Sequence, residues 1–305
     1  MSIVEKAIEK LNKRSRTEPG QSPVVSGAEP PAPPRASSLR AEPPVAHVVA
    51  PVNRPSLRLD FDHLRAAGLL PPLSEERRLA GEFRQVKRPL VDFAFGSQAD
   101  EQSTAGVIMI ASAIPGDGKT FTAFNLALSL SLEQDASVLL VDADIPKPQI
   151  SNLLGIHASL GLLDALRDPS IDTESIVYDT DRPNLQILAA GATSETATEL
   201  LASRRMFELV AQLRSANRNR IVVFDSPPLL MTTESRELAS AAGQVVLVVR
   251  AGVTPRQAVF DAIALLGEGK RVGVLLNQVD STLGDSSYYG YGKYGGYGAA
   301  TPEDG

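Results

Sequence analysis

The chain of 305 residues contains no cysteine. That absence removes disulfides, thiolate zinc sites and a cysteine nucleophile, and it is compatible with a reducing cytosol. Histidine is nearly as scarce. His47, His63 and His157 are scattered along the chain, which argues against a histidine-built metal site. No stretch approaches the ~20 apolar residues that a membrane helix needs. The opening MSIVEKAIEKLNKR mixes acids and bases throughout and has no apolar core, so it does not read as a signal peptide. These absences predict a cytoplasmic protein whose link to any membrane runs through a partner or a surface contact. Positive charge is also in deficit. With 30 Lys and Arg against 36 Asp and Glu, the net charge of −6 argues against nucleic-acid binding through a general positive field.

What is present is uneven along the chain. Residues 2–14 form a short amphipathic pattern, with Ile3, Val4, Ala7, Ile8 and Leu11 on one face. Such a helix is too short to be stable alone, so it docks either on its own domain or on a partner or membrane surface. Residues 15–56 hold ten prolines among Ala, Ser, Glu and Arg, without apolar periodicity. They read as a disordered, partly extended linker.

From residue 57 to about 283 the chain reads as globular. A helix is expected over 74–95, capped by Ser74 and broken near Pro89. Then short apolar runs alternate with longer helical stretches. The runs are Val107–Ala111, Val138–Val141, Leu185–Leu188, Ile221–Phe224, Val245–Val249 and Val272–Leu276. They are continuous rather than alternating, as expected for strands buried on both faces of a parallel sheet. Helices are expected over 119–133, 196–216, 232–241 and 255–267. The pattern predicts an α/β fold with a doubly wound, mostly parallel sheet.

The first run leads into Ala113-Ile-Pro115-Gly116-Asp117-Gly118-Lys119-Thr120-Phe121, and a helical stretch follows. Strand, Gly-rich turn and helix in this order mark a phosphate-binding loop far better than the letters alone. The N–H groups of Gly116 to Thr120 would form a concave nest that suits the β- and γ-phosphates of ATP. Lys119 would neutralise phosphate oxygens, and the Thr120 hydroxyl would ligate Mg²⁺. Ala113 stands where the common pattern has its first glycine, which the turn tolerates if that position does not need positive φ.

Two later runs end in acids. One closes with Asp142-Ala-Asp144, the other with Asp225-Ser-Pro-Pro. In a doubly wound sheet the carboxyl ends of strands face the ligand crevice, so these carboxylates belong beside the phosphate loop. A single such Asp is better explained by turn capping, but two acidic strand ends after a phosphate loop favour nucleotide chemistry. Asp142 is the candidate base for a hydroxyl proton, while Asp144 and Asp225 organise Mg²⁺.

Five of the six tyrosines, Tyr288, Tyr289, Tyr291, Tyr294 and Tyr297, lie in SSYYGYGKYGGYG within residues 284–305. A Gly-rich strand of tyrosines packs poorly but can enter an active site one hydroxyl at a time. Each phosphate added would bring about −1.5 to −2 charge. Gly290, Gly292 and Gly295 spell a dinucleotide fingerprint by accident, since no strand precedes and no helix follows.

Taken together, SAIPGDGKT, LLVDADIPKP, IVVFDSPP and the tyrosine cluster resemble the Walker A, Walker A′, Walker B and tail of the bacterial tyrosine kinases of polysaccharide synthesis and export. The resemblance covers roughly residues 75–298, and the layout is most similar to autokinases encoded with exosortase-linked exopolysaccharide systems. It implies a P-loop NTPase of the deviant-Walker class, ATP and Mg²⁺ as cofactors, and autophosphorylation in trans within a ring-like homo-oligomer. It also implies a transmembrane chain-length-determinant activator at the inner face of the plasma membrane, and a cognate tyrosine phosphatase. By analogy Asn277 would contact adenine, although a turn asparagine is an equally good reading.

The sequence departs from the family in two places. Pro146, followed by Lys147, stands where an arginine is usual, and Glu82-Phe-Arg84-Gln-Val-Lys87 is offset from the Glu-x-x-Arg-x-x-Arg oligomerisation pattern. The main rival is a partition-type ATPase of the same class, whose signature lysine would replace Ile114. A regulator that binds ATP without catalysis is the other.

Overall fold

A computed structural model describes residues 53–96, 104–217, 219–267 and 269–279. The readings placed on the N-terminal helix, most of the linker and the tyrosine cluster lie outside these residues.

Along the chain the elements are β1 (Ser56–Leu57), α1 (Phe61–Ala66), α2 (Leu73–Ala94), β2 (Val107–Ser112), α3 (Lys119–Leu130) and β3 (Ser137–Asp142). There follow α4 (Gln149–Leu153), α5 (Leu162–Arg167), β4 (Tyr178–Thr180), β5 (Leu185–Leu188), α6 (Ala197–Leu201) and α7 (Arg204–Ser215). The last are β6 (Arg220–Asp225), α8 (Glu234–Ala241), β7 (Gln244–Arg250), α9 (Arg256–Leu265) and β8 (Arg271–Asn277). The strands form one sheet in the order β1-β4-β5-β3-β6-β2-β7-β8. Every pairing is parallel except β4 with β5. This is the doubly wound, mostly parallel sheet that the apolar runs predict.

Helices cover both faces because consecutive strand residues point to opposite sides. On β2, Val107, Met109 and Ala111 face a core shared with Leu163, Leu209 and Leu238. Ile108 and Ile110 face the opposite core, with Phe83, Phe124 and Leu130. Burial on both faces is why the central strands read as unbroken apolar runs.

Several local expectations need correction. Helix α2 starts at Leu73 after Pro72, with no side-chain cap, so Ser74 does not cap it. It also runs through Pro89 without a break. Pro89 cannot bond the carbonyl of Gln85, but both residues are exposed, so water can satisfy the freed group. Meanwhile Phe83, Lys87, Leu90 and Ala94 keep one face of the helix buried, and that packing carries it across the proline. The helix expected over 196–216 is two helices, α6 and α7, separated at Ala202 and Ser203. Strands β1 and β4 were not anticipated. Arg54 and Pro55 already belong to the folded domain, since the Arg54 guanidinium pairs with Glu174 and the Pro55 carbonyl accepts from Asp179 N–H at 2.9 Å.

Candidate active site

The phosphate loop leaves β2 at the middle of the sheet and enters α3 through Gly118. Gly116 and Gly118 have φ of +86° and +94°, a left-handed backbone that side chains strongly disfavour. A Cβ at Gly116 would meet nothing within 4 Å, so that turn opens outward. Ala113 is fully buried and is not among the residues with positive φ, so the missing first glycine costs the loop nothing in backbone geometry. Its carbonyl and that of Ser112 accept from Leu230 N–H and Leu229 N–H at 3.2 and 2.9 Å, which moors the loop's entry to the segment after β6.

The acids gather as the strand order requires. Asp142 and Asp225 are register partners on β3 and β6, and Asp225 also pairs with Ile110 of β2, just before the loop. An open groove of about 1610 Å³ is lined by Pro115, Gly116, Lys119, Thr120, Asp144 and Asn277, among others. Asp142 and Asp225 are fully buried behind this wall.

Their electrostatics differ. Asp142 Oδ2 accepts from the N–H and the hydroxyl of Ser151 at 2.7 and 2.8 Å, while Oδ1 is buried without a partner. Burial raises its pKa to about 6, the Ser151 hydrogen bonds oppose the rise, and the charge of Asp144 adds to it. Asp225 has both oxygens buried without a well-formed hydrogen bond. Burial and the neighbouring Asp142 push it well above the usual carboxylate range, against the opposing pull of Thr120 and Lys119. Asp144 is raised by burial, while Lys119, the Lys147 N–H and the Lys147 charge hold it back. Four carboxylates, Asp117, Asp142, Asp144 and Asp225, are thus buried in this region with Lys119, whose charge acts on Asp144 and Asp225. Three of them, Asp117, Asp142 and Asp225, retain buried oxygens without a hydrogen-bond partner, an arrangement suited to a cation. Among the described residues no cluster of three or more acids and histidines forms a ready metal cage. Mg²⁺ fits such a site by keeping waters and borrowing phosphate oxygens.

The model matching residues 105–260 is that of an AAA domain. A tyrosine-protein kinase of Bacillus subtilis, YwqD, is 32% identical over 221 residues, which are 72% of this chain and 89% of that protein. The chain belongs to the bacterial tyrosine-protein kinase family. The solved kinase domain of VpsO aligns with the kinase at a TM-score of 0.56 and 30% identity, covering 68% of this chain and all of that one. The succinoglycan biosynthesis transport protein ExoP of Rhizobium meliloti is 33% identical over 239 residues, but the kinase spans only 30% of its length.

The remaining expected residues fall in different places. Phe121 turns from the loop to pack on Phe83 of α2, ring centroids 6.4 Å apart. Asn277 donates through Nδ2 to the Asp117 carbonyl at 2.9 Å and abuts Gly118, where a Cβ would approach within 2.1 Å. In the offset oligomerisation pattern, Lys87 points inward, to the Ser129 carbonyl and Glu133, each at 2.7 Å. Glu82 pairs with Arg78 at 2.6 Å, and Arg84 remains exposed. Ser151 and Thr254 were not anticipated. Each contacts an acid far from it in sequence or outside any motif, so only the tertiary fold reveals it.

Proposed function

We propose that the kinase transfers the γ-phosphoryl group of ATP to the tyrosines of its own C-terminal cluster, in trans, and thereby regulates exopolysaccharide polymerisation or export. One observation carries this reading: a glycine-turned phosphate loop inside the sheet is backed by Asp142 and Asp225, which keep buried oxygens without a hydrogen-bond partner. Lys119 and the loop N–H groups would hold the triphosphate, and Thr120, Asp144 and Asp225 would hold Mg²⁺. Mg²⁺, when bound, would offset charge on the transferring phosphate. Tyrosine's ordinary pKa near 10 means that a base must assist at neutral pH. Asp142, with a pKa of about 6, is mostly ionised at pH 7 and basic enough to take a proton. Phosphate acceptors are Tyr288, Tyr289, Tyr291, Tyr294 and Tyr297. A ring-like homo-oligomer, a transmembrane chain-length-determinant activator and a cognate phosphatase belong to the same proposal, as does residence at the inner face of the plasma membrane. Their support is the family resemblance. No helix among the described residues is long and apolar enough to cross a membrane itself.

The test is the intact mass of the purified full chain after incubation with Mg-ATP, beside Lys119→Met and a chain truncated after Gly284. Phosphate steps confined to the wild type are expected. Steady ATP hydrolysis without added phosphate would instead identify a partition-type ATPase.

A further inference from the structure

The loop residue between the two left-handed glycines is an acid, in a place built to attract anions. A carboxylate facing the triphosphate would repel it. Asp117 avoids this by lying beneath the loop, 1% exposed and away from the groove. Its Oδ1 accepts from the Thr254 hydroxyl at 2.8 Å. The same hydroxyl accepts from the Arg250 N–H at 2.9 Å, which leaves its proton directed at Asp117. Thr254 sits in the turn after β7, whose own backbone is closed by Thr254 N–H to the Arg250 carbonyl at 3.1 Å. A second contact reaches the Asp117 backbone from Asn277 at the end of β8. Strands β7 and β8 are joined there, with Arg250 opposite Asn277 and Ala251 N–H on the Asn277 carbonyl at 2.9 Å. The loop is therefore tethered at its middle residue to a rigid corner of the sheet.

We propose that Thr254, acting through Asp117, is a positioning residue of the phosphate loop. Gly116-Asp117-Gly118 has little intrinsic stiffness, and ordering its residues costs conformational entropy. A loop left free would meet that cost each time it closed on a triphosphate, whereas a loop already held in shape meets it during folding. Thr254 touches no reacting atom; its effect reaches the ligand through the N–H groups that flank Asp117.

The inference rests on the reading that this loop binds ATP, so the experiment separates the two. Affinity of the full chain for a fluorescent ATP analogue with Mg²⁺ is measured for the wild type, Lys119→Met, Thr254→Val and Thr254→Ser, beside the thermal midpoint without nucleotide. Valine keeps the shape but removes the hydroxyl. Its Kd is expected to rise about tenfold, as for loss of a hydrogen bond to a charged group. Serine restores the hydroxyl and should stay within about twofold of the wild type. Equal Kd values for wild type and Thr254→Val, or a Thr254→Ser variant as weak as the valine, would overturn the inference while leaving ATP binding intact. If Thr254→Val lowers only the unliganded thermal midpoint, Thr254 is structural and the inference fails. A wild type that binds no more analogue than Lys119→Met would overturn the nucleotide reading and the inference with it.

Discussion

At its start β6 carries Arg220, and at its end, five residues on, it carries Asp225; both are buried, at 1% and 0% exposure. Arg220 is surrounded by acceptors. Its two terminal nitrogens meet both Glu174 oxygens, the Leu213 carbonyl at 2.9 Å and Gln186 Oε1 at 2.8 Å, leaving only Nε over. Glu174 in turn receives Arg54. Asp225 has no comparable set, and both its oxygens are left over. A buried carboxylate with neither oxygen in a well-formed hydrogen bond is among the costlier features a fold can hold, and here burial and Asp142 disfavour its charged form. Its presence at the ligand end of the sheet, opposite a well-satisfied charge on the same strand, separates structure from function within six residues. The Arg220 end locks β1, β4 and β5 to the sheet, and the Asp225 end is the one proposed to hold Mg²⁺.

The largest effect should come from the satisfied end. Arg220→Met leaves Glu174 short of its main partner and is expected to cost about 3–5 kcal/mol in urea unfolding, as removal of one partner of a buried pair does. The folded fraction should keep its affinity for Mg-ATP. A loss below about 1 kcal/mol would mean that the two ends do not differ as described.

Acid titration sharpens the contrast, because the two ends respond to pH in opposite directions. Burial pushes Glu174 up, but the Arg220 and Arg54 guanidiniums outweigh it and hold its pKa below the usual value. Its contribution is present above the unfolded pKa and is lost as pH falls through the lowered one. Asp142 is raised from 3.8 to about 6. The folded state then binds the proton more readily, so Asp142 favours the fold at low pH and this advantage is lost as pH rises from about 4 through 6. Asp142→Asn should therefore flatten that fall, by up to about 3 kcal/mol between pH 4 and 7. The measurement is urea stability against pH for wild type and variant without nucleotide. Parallel profiles would contradict the raised Asp142. The same substitution should spare nucleotide binding and stop phosphate transfer, which rises in the wild type as pH passes about 6.

Much of this arrangement is legible in the residues themselves. The continuous runs at Val107, Val138, Ile221 and Val245 identify the central strands, because burial on both faces leaves no polar alternation to confuse them. Acids at their ends then locate the crevice. Strands β1 and β4 escape notice because they have two and three residues and are held by neighbours rather than by any pattern of their own. The local rule for Pro89 fails where packing of Phe83, Lys87 and Leu90 outweighs it. Partners such as Ser151 for Asp142 and Thr254 for Asp117 lie 9 and 137 residues away, and no spacing rule connects them. Asn277 had two readings in the sequence. In the structure its amide donates to the Asp117 carbonyl of the phosphate loop.

If the buried carboxylate at the end of β6 serves a cation and a nucleotide, it costs the unliganded fold stability. Thermal unfolding of the full chain and of Asp225→Asn, each with and without Mg-ATP, tests it directly. Without ligand at a pH where Asp225 ionises, the asparagine variant should be more stable than the wild type by about 1–3 kcal/mol, because the neutral amide removes the buried charge and its repulsion with Asp142. With Mg-ATP the wild type should gain stability and the variant should gain little. A variant that is less stable without ligand, or one that keeps the full Mg-ATP shift, would contradict the account.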